Sequence, residues 1–181
     1  MTNPIVKMLQ AIMGGLESSE ATTGIGTQRQ FITTKHLIDR DQTLLDMLNS
    51  EGHENVCYCV CDPDLPDLPI VFSSDGFSSF TGYKYTEIEG RNCRFLQGSE
   101  TSREDVDRIR TAIKEEKPTS VNLVNYKKDG TRFVNEFFLS PLHGEENKLA
   151  YFIGVQKPVP KQGKGQMPSN VGWVYTVGTH I

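Results

Sequence analysis

Thr119-Ser-Val-Asn-Leu-Val-Asn-Tyr-Lys-Lys-Asp-Gly-Thr-Arg-Phe-Val-Asn-Glu-Phe-Phe-Leu-Ser-Pro-Leu142 is two alternating runs joined by Lys128-Asp129-Gly130. Alternation of apolar and polar side chains is the mark of a strand with one buried face, and Asp-Gly is a strong hairpin signal. The reading is a pair of strands over about 119–127 and 131–142. A third strand follows at about 149–157, in Leu149-Ala-Tyr-Phe-Ile-Gly-Val-Gln156. Upstream, Cys57–Asp62 alternates as a strand. Pro69–Ser74 reads as another, after the turn region Pro66-Asp67-Leu68-Pro69. Between the two groups of strands, residues 75–97 read as short helical pieces broken at Gly82 and Gly90. A longer helix is expected after Thr101-x-x-Glu104, which has capping-box form, with Val106, Ile109 and Ile113 on one stripe and Pro118 ending it. Two strands, several helices and three strands define an α+β domain: a five-stranded antiparallel sheet with helices on one face.

The same strands carry a less common feature. Asn125 shares its face with Val121 and Leu123, Asn135 with Phe133, Phe137 and Leu139, and Gln156 with Phe152 and Gly154. A buried amide without partners costs roughly 1–3 kcal/mol. The three amides could satisfy one another or backbone groups. Coming from consecutive strands, they favour a planar polar ligand set among apolar walls. Arg110 borders the apolar stripe of the long helix, and Arg94 opens another helical turn. Each could be a surface ion pair. Flanking a pocket, they would also suit a phosphate through charge-assisted, bidentate bonds.

Composition bounds the rest. The 181 residues allow one ordinary domain with flanking arms. A hydrophobic share of 36% means that part of the length is not core. The net charge of -4, from 19 basic and 23 acidic residues, argues against direct nucleic-acid binding. No apolar run approaches the ~20 residues of a membrane span, and the start lacks the pattern of a secretory leader. A cytoplasmic or nuclear protein with reduced thiols is expected. Cys57-x-Cys59-x-Cys61 lacks the spacing of a structural zinc site and reads as small core residues on one face, so no metal is expected.

The organisation is an N-terminal arm over 1–54, the domain over 55–157 and a tail over 158–181. In the arm, residues 1–16 have helical spacing and 17–33 linker composition. A second helix over about 34–49 carries Leu37, Ile38, Leu44, Leu45 and Leu48. Its stripe needs a partner, either its own domain or a second copy. The tail is Pro-, Gly- and Lys-rich, then alternates weakly through Val171-Gly-Trp-Val-Tyr-Thr-Val-Gly178.

Gly90-Arg-Asn-Cys-Arg-Phe-Leu-Gln-Gly98 resembles the core signature of LOV (light-oxygen-voltage) domains of the PAS superfamily. The resemblance runs over about 56–157. It includes Leu65-Pro-Asp67, Thr81-Gly-Tyr83, Asn125-Tyr126 before the turn, Phe133-x-Asn135 and the closing Tyr151–Gln156. It implies the PAS fold and a blue-light photoreceptor that holds FMN, with FAD or riboflavin as alternatives. Cys93 would be the photoactive thiol, bonding reversibly to flavin C4a. Gln156 would face flavin N5 and O4 and rotate its amide when N5 is protonated. The resemblance implies Asn92, Gln97, Asn125 and Asn135 as flavin hydrogen-bond partners and Arg94 and Arg110 as phosphate ligands. The walls would be Leu96, Val106, Ile109, Ile113, Leu123, Phe137, Leu139 and Phe152, with Cys59 and Cys61 beside them. Signalling would pass through the flanking segments, by dimerisation through the N-terminal helical arm or by partner binding. The alternative is a sensory module of a larger light-regulated effector or transcription factor.

Neither version is itself an enzyme. A flavin redox enzyme is disfavoured because no G-x-G-x-x-G is present, and a haem sensor because His36, His53, His143 and His180 fall outside the amide-bearing surface. The sequence departs from many LOV domains in having Leu68 where Asn is common, and Cys59 and Cys61 where Val and Thr are common. Val134 stands where many plant relatives have Trp.

Overall fold

The computed structural model describes residues 28–159. Five strands form one antiparallel sheet: β1 (Cys57–Cys61), β2 (Ile70–Ser73), β3 (Thr119–Tyr126), β4 (Arg132–His143) and β5 (Leu149–Val159), in the order β2-β1-β5-β4-β3. Four α-helices accompany them: α1 (Asp39–Leu48), α2 (Asp75–Thr81), α3 (Tyr85–Ile88) and α4 (Arg103–Lys114). A 3-10 turn spans Cys93–Leu96. The α+β reading therefore holds, and the turn at Gly130, with φ +83°, closes the β3–β4 hairpin where the sequence places it.

Alternation sorts the sheet into two cores. Tyr58, Val60, Leu142, Tyr151, Ile153 and Val155 face one side, and Leu44, Leu45 and Leu48 of α1 lie against them. Cys57, Cys59, Cys61, Val121, Leu123, Phe137, Leu139 and Phe152 face the other, toward Phe77, Ile88 and Leu96 from the helical segments. Every residue of β1 is buried, because both of its faces are covered. The stripe of α1 thus packs on its own domain. Asp41 locks it there: this fully buried carboxylate accepts from the His143 backbone N–H at 2.7 Å and from Arg40 Nε at 2.6 Å.

Three local expectations are corrected. The helix expected over 34–49 starts at Asp39. Thr33 Oγ1 accepts from Lys35 N–H at 3.0 Å and donates to the Lys35 carbonyl at 2.6 Å, a local alternative to helical bonding. Leu37 then bridges to Gly144 in extended form. The end of the supposed linker is also docked. Phe31 packs edge-on against Tyr151, with centroids 5.3 Å apart, and Arg29 donates to Glu89 at 2.9 Å. Finally, Ser102 rather than Thr101 caps α4, accepting from Asp105 N–H. Thr101 Oγ1 instead donates to the Val124 carbonyl at 2.6 Å and accepts from Gly98 N–H at 2.9 Å, tying the loop before α4 to β3. The expected helix over 1–16 and the alternating tail lie outside the described residues.

Candidate functional site

The sheet face toward the helices is where the chemistry-bearing residues meet. Strand order decides the neighbours. Since β5 lies between β1 and β4, Gln156 sits opposite Cys57 on one side and Phe137 on the other. Gly154 sits opposite Cys59 and Leu139. A Cβ on Gly154 would come within 2.8 Å of the Phe137 ring, so a larger residue there would push that ring from its place.

All three amides are buried, at 4% (Asn125), 1% (Asn135) and 4% (Gln156) of their accessible surface. They are only partly satisfied. Asn135 Nδ2 donates to Asn125 Oδ1 at 2.9 Å. Asn135 Oδ1 is buried with no partner. Buried acceptors are nearly always paired, so an orphan on a face already rich in polar groups marks a place for a donor from elsewhere. Gln156 Nε2 donates to the Gly154 carbonyl at 3.4 Å and toward Cys59 Sγ at 3.8 Å, while Cys57 Sγ donates to Gln156 Oε1 at 3.4 Å.

Cys93 comes from the 3-10 turn and packs against this same cluster, as do Ile109 and Ile113 of α4 and Leu68 of the preceding loop. Burial pushes the Cys93 thiol up to about 12, reinforced by Cys59 and opposed by Arg94. Burial also raises Cys57 well above the usual thiol range. A hydrogen bond to Cys59, followed by burial, raises Cys61. All three are therefore neutral thiols at physiological pH, not thiolates.

The turn that carries Cys93 is anchored from below. Asn92 caps it, its Oδ1 accepting from Arg94 N–H at 3.0 Å, and its Nδ2 donates to the Asp67 carbonyl at 2.7 Å. Asp67 and Leu68 both have left-handed backbones, with φ 71° and 50°. Leucine is poorly suited to that region, whereas asparagine tolerates it. Arg94 also serves this loop, pairing with the Asp67 carboxylate at 2.6 Å.

Each residue expected at the site can now be placed. Leu96, Leu123, Asn125, Asn135, Phe137, Leu139, Phe152, Gln156, Cys59 and Cys61 are buried on or against this face. Val106 is half-buried on α4. Asn92 is half-buried, its amide engaged with the backbone of the Asp67 loop. Gln97, Arg94 and Arg110 are exposed, and Arg110 pairs with Asp107 at 2.8 Å. One residue outside the expected set stands out: Cys57, which the strand register sets against Gln156. Its sequence signal was the shared alternation with Cys59 and Cys61.

A helix-backed antiparallel sheet with a partly unsatisfied polar face and an adjacent thiol defines a small sensor domain of the PAS type. A model of the PAS domain matches residues 55–157, so the chain belongs to that family. Within it the chain is a LOV domain. It is 52% identical over 99 residues to phototropin-2 of Oryza sativa subsp. japonica, covering 55% of this chain and 11% of that protein. It is 44% identical over 121 residues to a blue-light photoreceptor of Listeria monocytogenes, covering 67% of this chain and 47% of that one. The light-state structure of the Aureochrome1 LOV domain superposes with a TM-score of 0.57 at 47% identity, over 58% of this chain and 82% of that one. The chain thus spans less than half the length of either curated relative.

The residues present fit a flavin. The buried, unpaired Asn135 Oδ1 is an acceptor awaiting a donor, and the surrounding side chains are apolar and aromatic. Among the described residues no group of His, Cys, Asp and Glu could hold a metal ion, and no helix is long and apolar enough to cross a membrane.

Proposed function

We propose that this domain is a blue-light sensor that binds FMN non-covalently in the dark and uses Cys93 as its reactive thiol. The observation that carries the reading is that Cys93, the cysteine of the Gly90–Gly98 motif, packs against the same cluster as the amide-bearing sheet face. Names of relatives from plants and bacteria support the light response.

A bound flavin supplies blue-light absorption and an electrophilic ring carbon. The protein's residues do the rest. Asn125 and Asn135 would hold the polar edge of the ring, and Leu96, Leu123, Leu139 and Phe152 would enclose it. Asn92 and Gln97 would add hydrogen bonds, and Arg94 and Arg110 would turn from their aspartate partners to the phosphate. Burial keeps Cys93 protonated, so it would wait as a neutral thiol; on excitation its sulfur would bond to the ring carbon while its proton passes to the adjacent ring nitrogen N5, and both would return in the dark. Gln156 carries a donor and an acceptor on one amide, so rotating it answers a change from acceptor to donor on the ring. Its strand β5 pairs along β1 and β4, and α1 rests on the far face of that sheet. The response therefore reaches the arms, through dimerisation of the N-terminal arm or release of a partner. Since the chain covers only part of its relatives, a role as the sensory module of a larger light-regulated effector is the second reading. A cytoplasmic or nuclear location fits both.

The test is Cys93→Ala. The variant should retain flavin, fluoresce more strongly than the parent and show no reversible bleaching after a blue flash. A complete photocycle in that variant would remove Cys93 from the mechanism.

A further inference from the structure

The positions of Cys57 and Cys59 beside Gln156 go beyond the role of Cys93. Gln156 is buried, and both ends of its amide meet a thiol of β1. Cys57 Sγ donates to Oε1 at 3.4 Å, and Nε2 points at Cys59 Sγ at 3.8 Å. The two contacts have opposite polarity. One sulfur offers a proton to the carbonyl end; the other receives the N–H end. The Gly154 carbonyl, 3.4 Å from Nε2, favours the same orientation, because a reversed amide would bring two carbonyl oxygens together. The strand register makes the arrangement local: Cys57 is the direct partner of Gln156, and Cys59 of Gly154.

We propose that Cys57 and Cys59 form a thiol clamp that sets which way the Gln156 amide points, so that Cys57 is a positioning residue for the light response. The proposal rests on Gln156 being the group that turns. Thiols suit the task for a physical reason. An S–H group is a weak donor and its sulfur a weak acceptor, so Cys57 can pair with either end of the amide without locking it. In the dark orientation Cys57 donates to Oε1. After the amide turns, the same sulfur receives Nε2–H, and its own proton must find another direction. The clamp therefore biases the amide toward its dark orientation while leaving the turn accessible.

The test is a light-minus-dark infrared spectrum of the full flavin-loaded chain in the S–H stretching region, for the parent and for Cys57→Ser. The expected parent spectrum has two features: loss of one S–H band, from Cys93, and a paired negative and positive signal from a second thiol whose hydrogen bond changes. The paired signal should vanish in Cys57→Ser while the Cys93 loss remains. Dark recovery supplies a second readout. Cys57→Ala removes the donor that favours the dark orientation, so recovery should slow about three- to tenfold, the range one net hydrogen bond spans. Cys57→Ser, which keeps a donor and an acceptor there, should stay within about twofold of the parent. A Cys93 loss without the paired signal, or a paired signal that survives Cys57→Ser, overturns the clamp and leaves the Cys93 reading standing. Equal slowing in the Ala and Ser variants reduces Cys57 to packing and also overturns it. Absence of the Cys93 loss would sink the Cys93 reading and the clamp together.

Discussion

The thiols decide how this site behaves across pH. Cys57, Cys61 and Cys93 are all held above their ordinary value, Cys93 to about 12, so the folded chain retains protons that the unfolded chain releases from about pH 9 upward. Their contribution to stability is complete below the unfolded value and is lost as pH rises through the folded one. In that window each thiol removes at most about 1.4 kcal/mol per pH unit. Urea midpoints should therefore be level between pH 7 and 8 and fall steeply by pH 10.5. A level midpoint up to pH 10.5 would mean that these thiols are not desolvated. Much of the site was legible residue by residue, since Asn125, Asn135 and Gln156 announce themselves as amides on apolar faces. The role of Cys57 was not. Alternation put it on the right face, but its contact with Gln156 depends on β1 lying beside β5, and alternation within a strand says nothing about which strand is its neighbour.

Among the elements, α1 is the one whose attachment can be tested without touching the site. Its three leucines lie on the outer sheet face, and buried Asp41 ties its first turn to the backbone of His143 at the end of β4. Asp41→Ala would leave that N–H without a partner and cost about 1–3 kcal/mol. It should lower the urea midpoint and speed amide exchange in residues 39–48, while Asp41→Asn, which keeps an acceptor, should cost less. An unchanged midpoint in the alanine variant would mean that the leucines alone hold the helix. The β3–β4 hairpin was plain from its alternation and Asp129-Gly130 turn. The start of α1 was not, because Leu37 and Ile38 continue a helical apolar pattern while the Thr33 hydroxyl diverts the backbone into a local turn. At α4, Thr101-x-x-Glu104 and Ser102-x-x-Asp105 offer competing caps one residue apart. The competition is settled by the carbonyl of Val124, a β3 residue, which takes the Thr101 hydroxyl.

For the molecule as a whole, one sheet carries two jobs on opposite faces: buried amides and thiols on one, the N-terminal helix on the other. A turn of the Gln156 amide would be felt along β5, which pairs with both β1 and β4 and so touches the strands under α1. On the proposed reading the domain would act as a reversible switch, with its output in its flanking segments or in a longer protein. The most direct measurement is the absorption spectrum of the purified chain before and after a blue flash. A structured blue band should bleach, a near-ultraviolet band should rise in its place, and both should reverse in the dark. A chain that carries no flavin, or whose flavin never bleaches reversibly, would contradict the central claim that Cys93 is the reactive thiol of a light sensor.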